Sequence, residues 1–302
     1  MVAKALLGAV GVLGLMTATS ASFADSAIVE QPDPKTMTWK WRRFSTPEYV
    51  TTGALLAGTV SLALLKDHDL SANFRGGALL DDGVRAAWRV PTPAGRERAQ
   101  QVSDSAYYGS LAYPVFVDVV AVAWIGHGAP DTAGQMALID AEAYAITGFL
   151  SFLSNATIRR ERPYLRACGP GKTDPQFPSC TPGGQSESFF SGHTGIAFTG
   201  AALTCSHHAN LPLYGKSPVG GVIVCSAMMA GAAVTGIGRI MADKHYATDV
   251  LTGAAIGLTS GFVIPWLHYR SPRTDASKSA FRITPLPMLS GTGAGMGAIG
   301  TF

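Results

Sequence analysis

Apolar residues along this chain fall into blocks of helical length, separated by polar, Pro/Gly-marked connections. Tyr49–Leu65 is a short, threonine-rich apolar stretch, and a long polar region runs from Lys66 to Ser110. Within that region Leu79–Val90 alternates at helical spacing. Leu80, Val84 and Trp88 stand against Asp81, Asp82, Arg85 and Arg89, the pattern of a helix lying along an interface. Further apolar stretches follow at Leu111–Gly126, Ala133–Ile158, Thr194–Ser206, Val219–Ile237 and Tyr246–Tyr269. Asp131 and Thr132 suit the start of the Ala133 stretch. Arg162-Pro163 is expected to close it, because proline cannot continue a helix. No strand pattern and no internal repeat shows in this core. The pattern predicts an all-α, membrane-associated bundle of about six core helices spanning 49–270.

The ends of the chain read differently. Lys4, the apolar run Ala5–Ala18 and the small-residue site Ser22-Phe23-Ala24 predict a signal peptide over 1–24, with a mature start at Asp25. A polar segment, 25–48, mixes Trp39 and Trp41 with Arg42 and Arg43, which suits a membrane interface or a docking strap. The tail, 271–302, is Gly/Pro-rich without a helical period. Its last residues resemble an outer-membrane terminal strand, but one short strand cannot make a barrel.

Composition sharpens the membrane reading. Of the 302 residues, 47% are apolar and only 14% charged, against a usual charged share of roughly 25%. A net charge of +3, with no basic run carrying aromatics, is too small to argue for a nucleic-acid partner, and none is expected. Cys168 and Cys180 share one polar loop and form a disulfide candidate in an oxidising compartment. Cys205 and Cys225 are expected to be buried free thiols, since a hairpin turning near Leu211–Pro212 would not bring them level. No Cys/His spacing suggests a metal.

The chemistry lies in the second half. His245 and Asp249, at i and i+4, share a helix face, so the carboxylate can orient the imidazole as a nucleophile. Gly253, Gly257 and Gly261 continue that face and permit close helix packing. Ser191-Gly192-His193 precedes an apolar helix, whose N-terminus is an anion site. Ser191 can cap that helix, Gly192 lets an anion approach, and His193 can protonate a leaving oxygen. Arg160, Arg162 and Arg239 form a guanidinium clamp for phosphate. Each motif alone is commonplace; phosphate chemistry at three separate helix ends is not. Asp118, inside an apolar stretch, is expected to pair with an arginine, and His207-His208 to lie in a solvated loop.

These residues resemble the signature of the type 2 phosphatidate phosphatase and vanadium haloperoxidase superfamily, K-x6-RP, PSGH and SR-x5-H-x3-D. Gly238 stands at the last motif's serine, Phe190 at the proline of PSGH, and Asn155 at the lysine. The resemblance implies a helical bundle whose phosphate site needs no cofactor and no metal. His245 would be the nucleophile, Asp249 its orienting partner and His193 the general acid. Arg162, Arg239, Ser191, Gly192, Arg160 and Asn155 would surround the phosphoryl group. Asparagine carries no charge, so one cation is missing from the clamp, and Arg159 or Arg160 is left to replace it.

The expected function is therefore hydrolysis of a lipid phosphate or diphosphate of phosphatidate, isoprenoid or lipid A type, with the membrane as partner. The alternatives are a soluble-substrate acid phosphatase or phosphotransferase of the same superfamily, or a non-catalytic protein that binds anionic lipid. The oligomeric state is not legible. Sidedness turns on Tyr49–Leu65. That stretch is shorter than the roughly 20 residues a span needs, and the Cys168/Cys180 loop suits an oxidising compartment. The arginines of 66–110 argue the other way. The balance predicts an active site on the exported side.

Overall fold

The computed structural model describes residues 37–64, 72–167, 186–270, 282–290 and 293–301. The expected signal peptide and the Cys168/Cys180 loop lie outside the described residues. Seven helices make the bundle: α1 Thr46–Leu64, α2 Asp81–Trp88, α3 Pro93–Ala112, α4 Pro130–Ile158, α5 Gly192–Asn210, α6 Pro218–Met241 and α7 Ala247–Tyr269. The architecture of this core is all-α. Helix α3 runs on into a π-helical stretch, Tyr113–Gly126, that opens on Pro114. Among the described residues, four stretches are long and apolar enough to cross a membrane: Pro93–Gly126, Pro130–Ile158, Pro218–Met241 and Ala247–Tyr269. Their outer faces leave Phe116, Ile125, Val222, Ile223, Leu251, Phe262 and Trp266 exposed, a surface suited to lipid.

Helices α5 and α7 pair most extensively. The glycine stripe makes this possible: a Cβ at Gly253 would lie 2.6 Å from the Ser191 carbonyl oxygen. At Gly257 and Gly261 it would run into the carbonyls of Gly195 and Thr199. The strap docks as well. Trp39 and Trp41 pack on Tyr269, with ring centroids 5.4 and 4.8 Å away. Arg43 grips Asp131 through two hydrogen bonds of 2.5 and 2.7 Å. Burying Trp39 and Phe44 in this way contributes on the order of 2–3 kcal/mol each.

Several elements depart from the hydrophobic pattern. Helix α3 lies in the region read as polar. Its buried positions are Arg96, Ser103 and Ser110, so it has no apolar stripe to betray it. Its start is marked only by Thr92, which caps it, and Pro93. Helix α4 stops at Ile158, before Pro163, because Arg159 turns left-handed at φ +49°. The chain then pairs with the 73–74 segment, the Glu161 amide donating to the Phe74 carbonyl at 2.9 Å. The tail forms an antiparallel hairpin of β1 Arg282–Ser290 and β2 Gly293–Thr301. Its glycines and prolines dilute the alternation by which strands are read.

Cys205 and Cys225 are not free thiols but a disulfide, with Cα atoms 4.6 Å apart. The α5–α6 connection runs to Ser217 and turns at Gly215 (φ +90°), beyond Leu211–Pro212, which brings the two cysteines level. Asp118 pairs with His208, not an arginine, at 3.1 Å. His207 is buried between Asp140 (2.8 Å) and the Tyr269 hydroxyl (2.7 Å), because α5 continues to Asn210 and carries both histidines inside. A groove of about 610 Å³, lined by residues including Cys205, Phe262, Trp266 and Arg270, opens near the C-terminal ends of α5 and α7. None of the motif residues lines it.

Candidate active site

Three loops at the other end of the bundle carry the motifs: 159–167 after α4, 186–191 before α5 and 242–246 between α6 and α7. Backbone hydrogen bonds stitch them together. The Ser188 amide donates to the Arg160 carbonyl at 2.9 Å, and the Ser191 amide to the Asp249 carbonyl at 3.1 Å. Ser191 is fully buried and caps α5, its Oγ accepting from the Thr194 amide at 3.4 Å and meeting the Thr194 hydroxyl at 2.8 Å. Gly192 opens the helix directly beneath Ser151 of α4.

His245 is buried, and its Nδ1 lies 2.7 Å from the Ser188 carbonyl oxygen. A carbonyl only accepts, so Nδ1 carries the proton and Nε2 keeps a free lone pair. The Asp249 carboxylate is 3.8 Å from Nδ1, beyond hydrogen-bond reach, so the expected direct bond between the pair is not made. Asp249 instead accepts from the Ser188 hydroxyl at 2.6 Å and the Tyr246 amide at 2.9 Å. It therefore holds the residue that holds His245. Burial pushes His245 down to about 4, with Asp249 opposing and Arg162 and Arg239 adding to the depression.

Arg160 is not part of an open clamp. It is 3% exposed and spends its donors on protein: Asp249 at 2.6 Å, Asp81 at 2.7 Å, Thr248 at 2.8 Å and the Gly76 carbonyl at 3.0 Å. Its guanidinium also lies over Tyr246, 4.2 Å from the centroid. Burial alone would raise Asp81; the Ala78 amide, Arg160 and Thr248 outweigh it and hold that carboxyl below its usual value. Arg159 does not replace the missing lysine either, since it bonds the Asn73 side chain at the surface. Asn155 sits near the end of α4 with its Oδ1 buried and unpartnered.

The charges that do gather are Arg162, Arg239 and a residue the motif reading passed over, Lys244. Arg162 and Arg239 lie close enough to His193, His245 and Lys244 to oppose the protonation of all three. For His193, partial burial is the largest cause of a strong downward shift, followed by Arg239, His245 and Arg162. Arg239 is nearly buried, pairs with Asp104 of α3, and keeps its Nε without a partner. Asp104 also stands 3.6 Å from His193 Nε2, while Tyr107 packs on the His193 ring at 4.5 Å. Gly238 admits this helix: a Cβ there would lie 2.7 Å from that of Ser103. The serine of the family motif would not fit. Asp104, Asp81 and Ser188 escaped the sequence reading because each reaches the site from outside the motif spacings. Lys244, next to His245, was in plain view.

Among the described residues one group has metal-ligand spacing, Glu48, Glu142 and His268, with donor atoms within 4.8 Å of one another. The Arg42 guanidinium already holds both oxygens of Glu48, at 3.1 and 2.6 Å, so the group is an ion-pair knot.

Residues 137–273 match the model of the PAP2 superfamily, a stretch covering all three motifs. Over these residues the chain is similar to the PAP2 superfamily. It is similar to a lipid A 1-phosphatase of Porphyromonas gingivalis, 36% identical over 94 residues. That alignment covers 30% of this chain and spans only 19% of the relative's length. Among solved structures it is similar to a transmembrane PAP2 type phosphatidylglycerolphosphate phosphatase from Bacillus subtilis. There the identity is 18%, the coverage 72% of this chain and 94% of that chain, and the TM-score 0.45.

The buried network yields a test. Arg160→Ala strands two buried carboxylates, so it should cost about 3–5 kcal/mol of stability. Thermal melts of the detergent-solubilised variant read this. A melting temperature equal to wild type would mean that the Arg160 network does not hold the fold together.

Proposed function

We propose that the chain is a membrane-associated phosphatase that removes phosphate from a lipid phosphate or diphosphate through a phosphohistidine on His245. The observation that carries this reading is the fixed tautomer of His245, with Nε2 unprotonated and the Arg162 and Arg239 charges near it. Nε2 attacks phosphorus and the bond to the leaving oxygen breaks, with His193 donating the proton that oxygen takes up. Water then cleaves the P–N bond, gives a proton back to His193 and releases inorganic phosphate. Arg162, Arg239 and the α5 N-terminus at Ser191-Gly192 stabilise the equatorial oxygens. Burial and the neighbouring Arg239, His245 and Arg162 disfavour a proton on His193, and an arriving phosphate offsets those cations and lets it hold one. A lipid substrate is supported by the apolar outer faces, and a lipid A type head group by the lipid A 1-phosphatase relative.

Phosphate release by detergent-purified protein, over lipid and soluble phosphates, tests the reading. Turnover should favour lipids, survive EDTA, fall with vanadate and drop to background in His245→Ala. A folded protein that hydrolyses nothing would leave an anionic-lipid binder, and preference for soluble esters an acid phosphatase.

The nucleophile is active only when unprotonated. With His245 held at about 4, kcat/KM should persist through mildly acidic pH and fall only as pH drops through about 4. An acid limb near 6.5 would mean that His245 is not the attacking group.

The same reading puts the site on the exported side. Helix α1 is not among the four long apolar stretches, which supports an interfacial rather than a spanning first helix. The Cys205–Cys225 disulfide supports an exported chain. A cysteine introduced by Ala156→Cys, exposed near the loops, should react with an impermeant thiol reagent in intact spheroplasts. Labelling only after lysis would put the site inside.

A further inference from the structure

We infer that Lys244 is the third cation of the phosphate pocket, doing the work of the lysine that the family motif places at Asn155. The inference rests on the phosphatase reading. It starts from a deficit. Asn155 is neutral, Arg159 bonds Asn73, Arg160 is committed to Asp81 and Asp249, and Arg166 bonds Asp82 at 2.7 Å. None of these four positions supplies the missing charge.

Lys244 is placed to do so. Its amide donates to the Arg239 carbonyl at 3.0 Å, and the next residue is His245, so its backbone is pinned between two residues of the pocket. Its Nζ lies 5.3 Å from the ring centroid of Tyr164, which follows Arg162-Pro163 on the facing loop. The ammonium group thus bridges the first and third motifs. Partial burial works against its charge, and so do Arg162 and Arg239, while Asp104 and Asp243 favour it. Asp243 is itself engaged by Arg85 and Arg89, at 2.7 and 2.6 Å. Three cations gathered in one part-buried pocket repel one another, and a multiply charged anion among them relieves that repulsion. On another chain a lysine over a tyrosine at a loop would be surface decoration. Here it shares its charge environment with the nucleophile and both arginines.

The test compares wild type, Lys244→Gln and Lys244→Arg, with inorganic phosphate as competitive inhibitor of lipid phosphate hydrolysis. Lys244→Gln should weaken phosphate inhibition and raise KM by about tenfold or more, the loss of one charge-assisted contact. Lys244→Arg should restore most of both. The pH profile separates this role from a structural one. Lysine is charged below its pKa, and burial with Arg162 and Arg239 lowers that of Lys244 to about 8. Wild-type kcat/KM should therefore decline as pH rises through about 8. That limb should vanish in Lys244→Gln and move to higher pH in Lys244→Arg. An unchanged inhibition constant and alkaline limb in Lys244→Gln overturns the inference. A loss of activity that tracks a lowered melting temperature and is not restored by arginine overturns it too. Wild-type protein without turnover overturns the phosphatase reading instead. Calorimetric binding of inorganic phosphate, retained in wild type and lost in Lys244→Gln, then decides on Lys244 alone.

Discussion

A guanidinium group is costly to strip of water, and it stays in a protein interior only when its N–H groups are answered. Arg160 meets that condition with Asp249, Asp81, Thr248 and the Gly76 carbonyl. Those partners come from the segment before α2, from α2 and from α7, while Arg160 itself sits on the loop after α4. One side chain therefore fixes four pieces of chain that share no helix. Ser188 extends the knot to the loop before α5, through its hydroxyl to Asp249 and its amide to Arg160. The position of His245 is the consequence, since the Ser188 carbonyl sets its tautomer.

This arrangement divides the arginines by job. The one with two buried carboxylate partners, Arg160, is structural, while Arg162 and Arg239 act electrostatically on His193, His245 and Lys244. Asp104 moderates those charges from α3 and brings with it a constraint on α6: Gly238 is small because Ser103 lies against it. A departure from the family motif that reads as loss in one dimension is steric accommodation in three.

The two ends of the bundle are built on different principles. The site end is a network of ion pairs and caps around loops. The far end holds buried imidazole–carboxylate pairs, His207 with Asp140 and His208 with Asp118, under a disulfide. Between them, small residues let α5 and α7 touch, and the larger apolar side chains are left for the outer surface. That division suits a protein whose exterior meets lipid, where apolar packing between helices gains little and close backbone approach gains more.

The sequence by itself determined the helical class, the glycine stripe and the three motif loops, because periodicity and spacing are local properties that survive without tertiary contacts. It also put Ser191 at a helix start and His245 on a helix face with Asp249. Only the tertiary structure decided what those groups touch. Helix α3 was illegible since its buried face is Arg96, Ser103 and Ser110, and hydropathy cannot mark a polar interior face. The Cys205–Cys225 bond depended on where a loop turns, which a shift of a few residues changes. Arg160 turned from an expected phosphate ligand into a buried ion-pair partner because a cation's role follows from its counter-charges, and Asp81 and Asp104 lie 79 and 135 residues away from Arg160 and Arg239 in the chain.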